Sequence, residues 1–237
     1  MKLGILKADD VNPSLAEQFG EYPQQVTHLL HRVDPSIVTT SYDVFRQQYP
    51  AELDEQDGYI ITGSRFSVYD DEVWIARLEE FVRRLYVARK KLVGICFGHQ
   101  LIAQALGGET RRAEVGWGIG VHHISLYESV SPLGQKNDGM SWLVSHRDQV
   151  VVPAKGGVVL AGSDFCPNAI CQIGDNILSM QGHPEFVVGY ARGLLRARRD
   201  IYGADVYDNA INSLGEPTDE LKLARWIVDF FATPASM

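Results

Sequence analysis

The sequence lacks most features that would tie a chain to a membrane, a nucleic acid or a disulfide scaffold. No apolar run reaches the ~18 residues that a spanning helix needs, so no membrane role is expected. Basic residues are outnumbered, 22 Lys and Arg against 30 Asp and Glu, for a net charge of −8. Phosphate binding wants a basic face, which argues against nucleic acid as a partner. Cysteine is scarce and odd in number, three in 237 residues, which gives no framework of paired bridges. That suits a reducing cytoplasm, where a free thiol survives. The first residues, Met1 to Leu6, run directly into Asp9-Asp10 and read as a first strand, not a signal peptide. There is no P-loop, internal repeat or low-complexity tract. What remains is ordinary globular composition, 45% hydrophobic and 10% aromatic, enough for a sizeable core. The length fits one α/β domain or a small two-domain protein. The expectation is a single domain over 1–237, with a helical extension from about 187.

Along the chain, apolar strands alternate with helices. Lys2 to Leu6 reads as a strand. Leu15 to Arg32 reads mainly as helix, with Pro23 as an interruption or restart. Ile37 to Tyr42 is β-rich, and Gly58 to Thr62 and Lys91 to Ile95 read as buried strands. Asp70-Asp71-Glu72 place negative charge at the start of a helix through Trp74, Leu78, Phe81, Val82 and Leu85. Between about 109 and 180 the chain changes to short β-rich runs, Gly120 to Leu126, Val150 to Val152, Val158 to Ala161 and Ala169 to Ile173. These suggest antiparallel additions to a parallel core. A final helix, Pro217 to Phe231, carries Trp226, Ile227, Phe230 and Phe231 at helical spacing, read as core. The basic run Arg192, Arg196, Arg198 and Arg199 reads as a solvated helix face.

Three segments carry chemistry. The first is Leu92-Val93-Gly94-Ile95-Cys96-Phe97-Gly98-His99-Gln100-Leu101, where a strand runs straight into a helix through one cysteine flanked by glycines. This is Gly-x-Cys-x-Gly, the cysteine form of the nucleophile elbow. The joint is too sharp for bulky neighbours, and a sulfur near a helix N-terminus is favoured as thiolate. The alternative is a buried structural cysteine. The second segment is Gln181-Gly182-His183-Pro184-Glu185-Phe186, after the apolar Asn176 to Met180. In extended backbone, residues two apart point to the same side, and Pro184 biases His183 to that geometry. Histidine can take a thiol proton and return it to a leaving amine, with Glu185 orienting the ring. The third is Asp57 to Ser64, a buried strand ending in a small-residue turn. Its Gly63 amide, with that of Phe97, could meet a developing oxyanion.

The other conspicuous residues have plainer readings. Cys166 and Cys171 have no glycine elbow and no helix behind them, so they read as structural and do not fit a zinc site. His28 and His31 lie three apart on a helix and read as a solvated face, not a metal pair. His122 and His123 alternate sides of a strand. His99 reads as packing support behind the elbow. No metal or cofactor is implied.

Together, Gly94 to Gln100, Ala105-Leu106-Gly107-Gly108 and Gly182 to Glu185 resemble the signature blocks of class I glutamine amidotransferases. That Cys-His-Glu family includes the amidotransferase domain of GMP synthetase. The likeness covers about residues 57 to 186 closely. It implies a three-layer αβα, flavodoxin-like fold with a mostly parallel open sheet. It also implies Cys96 as nucleophile, His183 as base and Glu185 as its orienter, with Gln100 contacting substrate. Ser145 and His146 match the segment that meets the substrate's amino-acid end through main chain. Thr62 to Ile75, Gly116 to Gly120 and Ser179 to Phe186 resemble the cytosolic γ-glutamyl peptidases, which cleave γ-glutamyl bonds in small conjugates. Two departures from the GMP synthetase pattern stand out. Gly63-Ser64-Arg65 replaces Gly-Gly-Pro at the oxyanion turn, and Gly182 precedes His183 where phenylalanine is common. Arg65 could meet a substrate carboxylate with a bidentate fork.

The expected activity is cysteine hydrolysis of a γ-glutamyl amide, glutamine or a conjugate, through a γ-glutamyl thioester. The first alternative is an ammonia-supplying glutaminase that needs a separate synthetase subunit. Remoter alternatives are a PfpI/ThiJ-type cysteine enzyme and an inactive binding module. The Gly-His-Gln after the elbow and the His-Pro-Glu segment argue against the PfpI/ThiJ type, and the three filled triad positions argue against the inactive module.

Overall fold

The computed structural model describes residues 1–233. The last four positions of the expected 187–237 extension lie outside the described residues. In chain order the strands are β1 (Lys2–Lys7), β2 (Val38–Asp43), β3 (Gly58–Ile61), β4 (Lys91–Ile95), β5 (Glu109–Arg112), β6 (Gly118–Leu126), β7 (Gly139–His146), β8 (Asp148–Val152), β9 (Gly157–Gly162), β10 (Ile170–Ile173) and β11 (Ile177–Met180). The helices are α1 (Pro13–Phe19), α2 (Tyr22–His31), α3 (Val73–Val87), α4 (Phe97–Ala105), α5 (Val188–Ala197), α6 (Arg199–Tyr202), α7 (Ala204–Ser213) and α8 (Glu220–Ala232).

Nine strands form one sheet in the order β2-β1-β3-β4-β11-β10-β9-β6-β7. The pairs from β2 through β11 are parallel, and those from β11 through β7 are antiparallel. The parallel strands β3, β4 and β11 are buried at every position, as strands covered on both faces must be. Alternation along them splits the core in two. Leu3, Ile5, Ile60, Val93 and Ile95 pack with Val26 and Leu30 of α2 and with Leu223, Ile227 and Phe231 of α8. Leu6, Tyr59, Ile61 and Leu92 pack with Trp74, Leu78, Phe81 and Leu85 of α3 and with Leu101 and Ile102 of α4. The result is the expected three-layer αβα arrangement, a mostly parallel sheet with antiparallel additions.

Leu15 to Arg32 is helical with the restart expected at Pro23: Gly20 takes φ +77° between α1 and α2, and Pro23 sits in the first turn of α2, where its missing N–H costs nothing. Three other readings need correction. Strands β5 and β7 were not foreseen. The final helix starts at Glu220 and not at Pro217, with Asp219 at the N-cap position and its carboxylate accepting from Ser141 N–H at 2.8 Å. Arg198 is not part of a solvated helix face: α5 ends at Ala197, and Arg198 turns with φ −117° before α6. Trp226, Ile227 and Phe231 are core, as expected. The fit is close, since a β-carbon at Gly58 would lie 2.5 Å from the Phe231 ring. Helices α5 and α7 close a third cluster, in which Tyr190, Leu194 and Ala210 pack with Leu15, Ile119 and Leu143. Among the described residues, no helix is long and apolar enough to cross a membrane.

Candidate active site

The topology places three neighbouring strand ends at one edge. Strand β4 lies between β3 and β11, with Gly94 opposite Ile61 and Ile95 opposite Met180. The chain therefore leaves the carboxyl ends of these strands side by side, carrying Gly63, Cys96 and His183. Open α/β sheets present ligand sites at such an edge.

Cys96 takes φ +51° and ψ −100°, outside the regions an L-residue ordinarily adopts. Strain of this kind is of order 1–3 kcal/mol and persists only where the surroundings impose it. Here they do. A β-carbon at Gly94 would lie 2.6 Å from the Gly98 main chain, and one at Gly98 would lie 2.6 Å from the Ile61 carbonyl. Helix α4 is thus pressed onto β3 and β4, and the main chain at Cys96 must turn within one residue. Its N–H donates to the Met180 carbonyl at 2.8 Å, pinning the turn to β11.

His183 lies against the same point. Its Nδ1 meets Glu185 Oε1 at 2.7 Å, with both side chains buried. The ring is in hydrogen-bond contact with the Cys96 side chain. Burial alone would lower the His183 pKa, but the Glu185 and Cys96 charges and hydrogen bonds overcome it and raise it to about 10. Two other buried histidines nearby go the opposite way. Desolvation pushes His146 down to about 3 and His99 down to about 4. Of these three buried imidazoles, only His183 is favoured in its charged form. A buried imidazolium between a sulfur and a carboxylate can hold the sulfur's proton and hand it to a departing amine.

Phe186 fixes the ring from behind. It stacks on His183 with centroids 3.9 Å apart and planes at 8°, and Tyr190 of α5 packs on Phe186 at 4.5 Å. On the other side Gly63 allows the approach: a β-carbon there would lie 2.8 Å from His183 Cε1. Gly182 is explained in the same way. A β-carbon at 182 would collide with the Trp142 indole, which fills the space a larger residue at 182 would need. Neither the Gly63 nor the Phe97 amide donates a hydrogen bond to another group among the described residues.

The remaining expected residues line a cavity of about 130 Å³ beside Cys96, with Gln100, Ser145, His146 and Arg65 in its wall. Two of them are already engaged. Gln100 Nε2 donates to the Asp148 carbonyl at 2.7 Å and to Gln181 Oε1 at 3.1 Å. Arg65 meets the buried Asp9 carboxylate at 3.3 Å, and its main-chain N–H donates to the same group at 2.9 Å. His146 is held neutral by burial, and its Nδ1 faces the Asp148 carbonyl at 3.2 Å. Gln181 stands two residues before His183 and shows no role in the sequence, yet its Nε2 lies 3.6 Å from Cys96 Sγ. Arg112, Trp117, Arg147 and Arg198 also line the cavity and were not foreseen there.

Cys166 and Cys171 are free and buried, with burial pushing both thiols up to about 12. His99 bonds Ser179 Oγ at 2.9 Å behind the elbow. His122 packs on Phe165 and His123 meets Glu216, on opposite sides of β6. Among the described residues, no three His, Cys, Asp or Glu side chains converge to hold a metal ion.

A parallel α/β sheet with a cysteine elbow, and a buried histidine–glutamate pair against its sulfur, defines a class of protein built around one reactive-cysteine geometry. The family model for glutamine amidotransferase class-I matches residues 19–196. The chain belongs to the class I glutamine amidotransferase family. It is similar to gamma-glutamyl peptidase 2 of Arabidopsis thaliana, 35% identical over 153 residues. That match covers 61% of this chain and 62% of the relative, so it spans less than two thirds of the relative's length. It is also similar to one subunit of the glutamine-hydrolyzing GMP synthase of Sulfolobus acidocaldarius, 35% identical over 136 residues, 56% of this chain and 70% of that one. Among solved structures, the fold matches a glutamine amido transferase from Methylobacillus flagellatus with a TM-score of 0.74 and 20% identity, covering 98% of this chain and 92% of that one.

Proposed function

We propose that the protein is a cysteine-dependent hydrolase of γ-glutamyl amides. The observation that carries this reading is the contact of Cys96, strained at φ +51°, with a His183 whose protonated form is held by Glu185. Cys96 sulfur attacks the γ-carbonyl carbon, and the Gly63 and Phe97 amides donate to the oxygen as it becomes negative. The tetrahedral species collapses, and the C–N bond breaks. The nitrogen leaves with a proton from His183, and a γ-glutamyl thioester remains on Cys96. His183 then takes a proton from water, which attacks the thioester, releases glutamate and restores the sulfur.

Gln181, 3.6 Å from Sγ, holds the side chain in its attacking orientation. Gln100, bonded to Gln181 and to the 148 carbonyl, ties the elbow to the wall where the glutamyl end would lie, with the main chain of Ser145 and His146. The similarity to a γ-glutamyl peptidase supports a larger amine as leaving group. The similarity to a GMP synthase subunit supports a second reading, in which ammonia leaves and passes to a separate synthetase.

Glutamate release by the purified full chain separates these. Release from γ-glutamyl conjugates with little from glutamine marks the free-standing hydrolase. Release from glutamine, or only once a synthetase is added, marks the ammonia-supplying protein.

A further inference from the structure

The turn that carries Gly63 has no ring to fix its shape. It reads Thr62-Gly63-Ser64-Arg65, without a proline to lock a φ angle. Yet Gly63 stands where a small shift matters. A β-carbon there would lie 2.8 Å from His183 Cε1 and 3.8 Å from Cys96 Cβ. The restraint on this turn comes from strand β1 and the residues that follow it.

Two fastenings bracket Gly63 and Ser64. On one side, Thr62 N–H donates to the Leu6 carbonyl at 3.2 Å, and Ala8 N–H donates to Thr62 Oγ1 at 3.0 Å. The Thr62 hydroxyl donates in turn to the Gly63 carbonyl at 3.1 Å. On the other side, Arg65 N–H donates to Asp9 Oδ2 at 2.9 Å, and the Arg65 guanidinium lies 3.3 Å from Asp9 Oδ1. A proline at 65, as in the GMP synthetase pattern, would have no N–H to make this bond. Asp9 supplies by hydrogen bonding the restraint that a proline ring would supply covalently.

Asp9 is itself held in place. It is 2% exposed, and its Oδ1 accepts from Asp10 N–H at 2.8 Å. Asp10 meets Lys7 and Arg46, each at 2.5 Å, and Val11 N–H donates to Glu21 at 3.0 Å. Burial raises the Asp9 carboxyl above its usual range, against the bonds from Arg65. A buried carboxylate is costly unless hydrogen bonds satisfy it. The Arg65 side chain is 63% exposed, and an ion pair to so exposed a group contributes little. The bond to the Arg65 main chain is therefore the contact through which Asp9 acts on the turn.

We propose that Asp9 is a positioning residue for the reaction: it fixes the oxyanion turn, so that the Gly63 amide is already aimed at the carbonyl oxygen when Cys96 attacks. The inference rests on the hydrolase reading above. Asp9 touches no substrate and moves no proton in this role. A donor fixed in advance stabilises the developing charge without reorganising at the moment of reaction, so loosening it lowers kcat.

The test measures glutamate release from γ-glutamylglycine by the full chain and three variants. Asp9→Ala removes the acceptor and lowers kcat about 10- to 100-fold, with KM within about twofold. Asp9→Asn keeps one oxygen of the two and falls in between. Asp9→Glu keeps the charge but moves the acceptor by one methylene, so it falls with alanine; it also keeps the test open if the alanine variant does not fold. The second readout is alkylation of Cys96 by iodoacetamide, which needs a reactive sulfur but forms no oxyanion. Its rate stays within about twofold of the unaltered protein in all three variants. An unchanged kcat in Asp9→Ala or Asp9→Glu, a rise in KM alone, or an asparagine variant no better than alanine overturns the inference. Alkylation that falls in step with kcat overturns it too, because Asp9 would then act on the Cys96–His183 pair or on the fold at large. If the unaltered protein cleaves no γ-glutamyl compound, the hydrolase reading fails and this inference with it, which is seen before any variant is compared.

Discussion

Phe186 lies flat on the His183 imidazole, 3.9 Å away and within 8° of parallel. The ring is thus fixed on one face by Phe186, at Nδ1 by Glu185, and on the Gly63 side by a contact too close for a β-carbon. An imidazole held in this way needs no reorientation before it donates its proton.

Removing that plane should therefore act on turnover more than on binding. Phe186→Leu is expected to lower kcat by about tenfold with little change in KM, since small misplacements of a reacting group are expensive. Steady-state kinetics on one γ-glutamyl substrate checks this. A rise in KM at constant kcat would speak for a substrate contact instead.

The strain at Cys96 gives a prediction about stability. Cys96→Ala and Cys96→Gly should both lose activity by about 10⁴-fold or more. Glycine adopts φ +51° freely and alanine does not, so Cys96→Gly should be the more stable of the two, by about 1 kcal/mol. Chemical denaturation of the two variants measures the difference.

The pH dependence follows from His183. Its folded-state pKa is raised from 6.5 to about 10, against burial, by Glu185 and Cys96. A raised pKa stabilises the fold in full below the unfolded value and is lost as pH rises through the folded one. Activity that needs a proton on His183 should fall on the alkaline side. Glu185→Gln removes one of the charges that raise it, so the alkaline limb should move down by about one to two pH units. The stability gap between the two proteins should be widest below pH 6.5 and close toward about 10, readable by thermal melts across that range.

Gly182 and Trp142 form a steric pair. Gly182→Ala should destabilise the protein by about 1–3 kcal/mol, the usual range for overpacking, and should disturb the adjoining His183. Trp142→Leu should recover part of that loss, because the clashing atoms belong to the indole. A double-mutant cycle with both positions gives the coupling; additive effects would contradict the pairing.

The parallel half of the fold and the elbow were legible in the sequence because each rests on local signals. Leu92, Val93 and Ile95 are a short apolar run, and Gly94 and Gly98 flank one cysteine. The antiparallel half was less legible. Strand β7 reads Gly-Met-Ser-Trp-Leu-Val-Ser-His, a mixed pattern, and the connection over 127–138 to its partner β6 is too long to be marked by a short hairpin turn. Arg198 was hidden for a different reason. It sits within the run Arg192, Arg196, Arg198 and Arg199, and no glycine or proline marks the break after Ala197 that takes it out of α5. Trp142 and Gly182 are forty positions apart, and only their contact shows why the residue before His183 must be small. Gln181 neighbours His183 in sequence, but its reach to the sulfur depends on β4 and β11 being neighbours in the sheet.

The central claim, that Cys96 carries the glutamyl group, is tested most directly by intact-mass analysis of the full chain quenched in acid during turnover of γ-glutamylglycine. The account predicts an adduct of one glutamyl residue, located on the peptide that contains Cys96 and absent from Cys96→Ala. Glutamate release without any such adduct, or release that persists in Cys96→Ala, would contradict it.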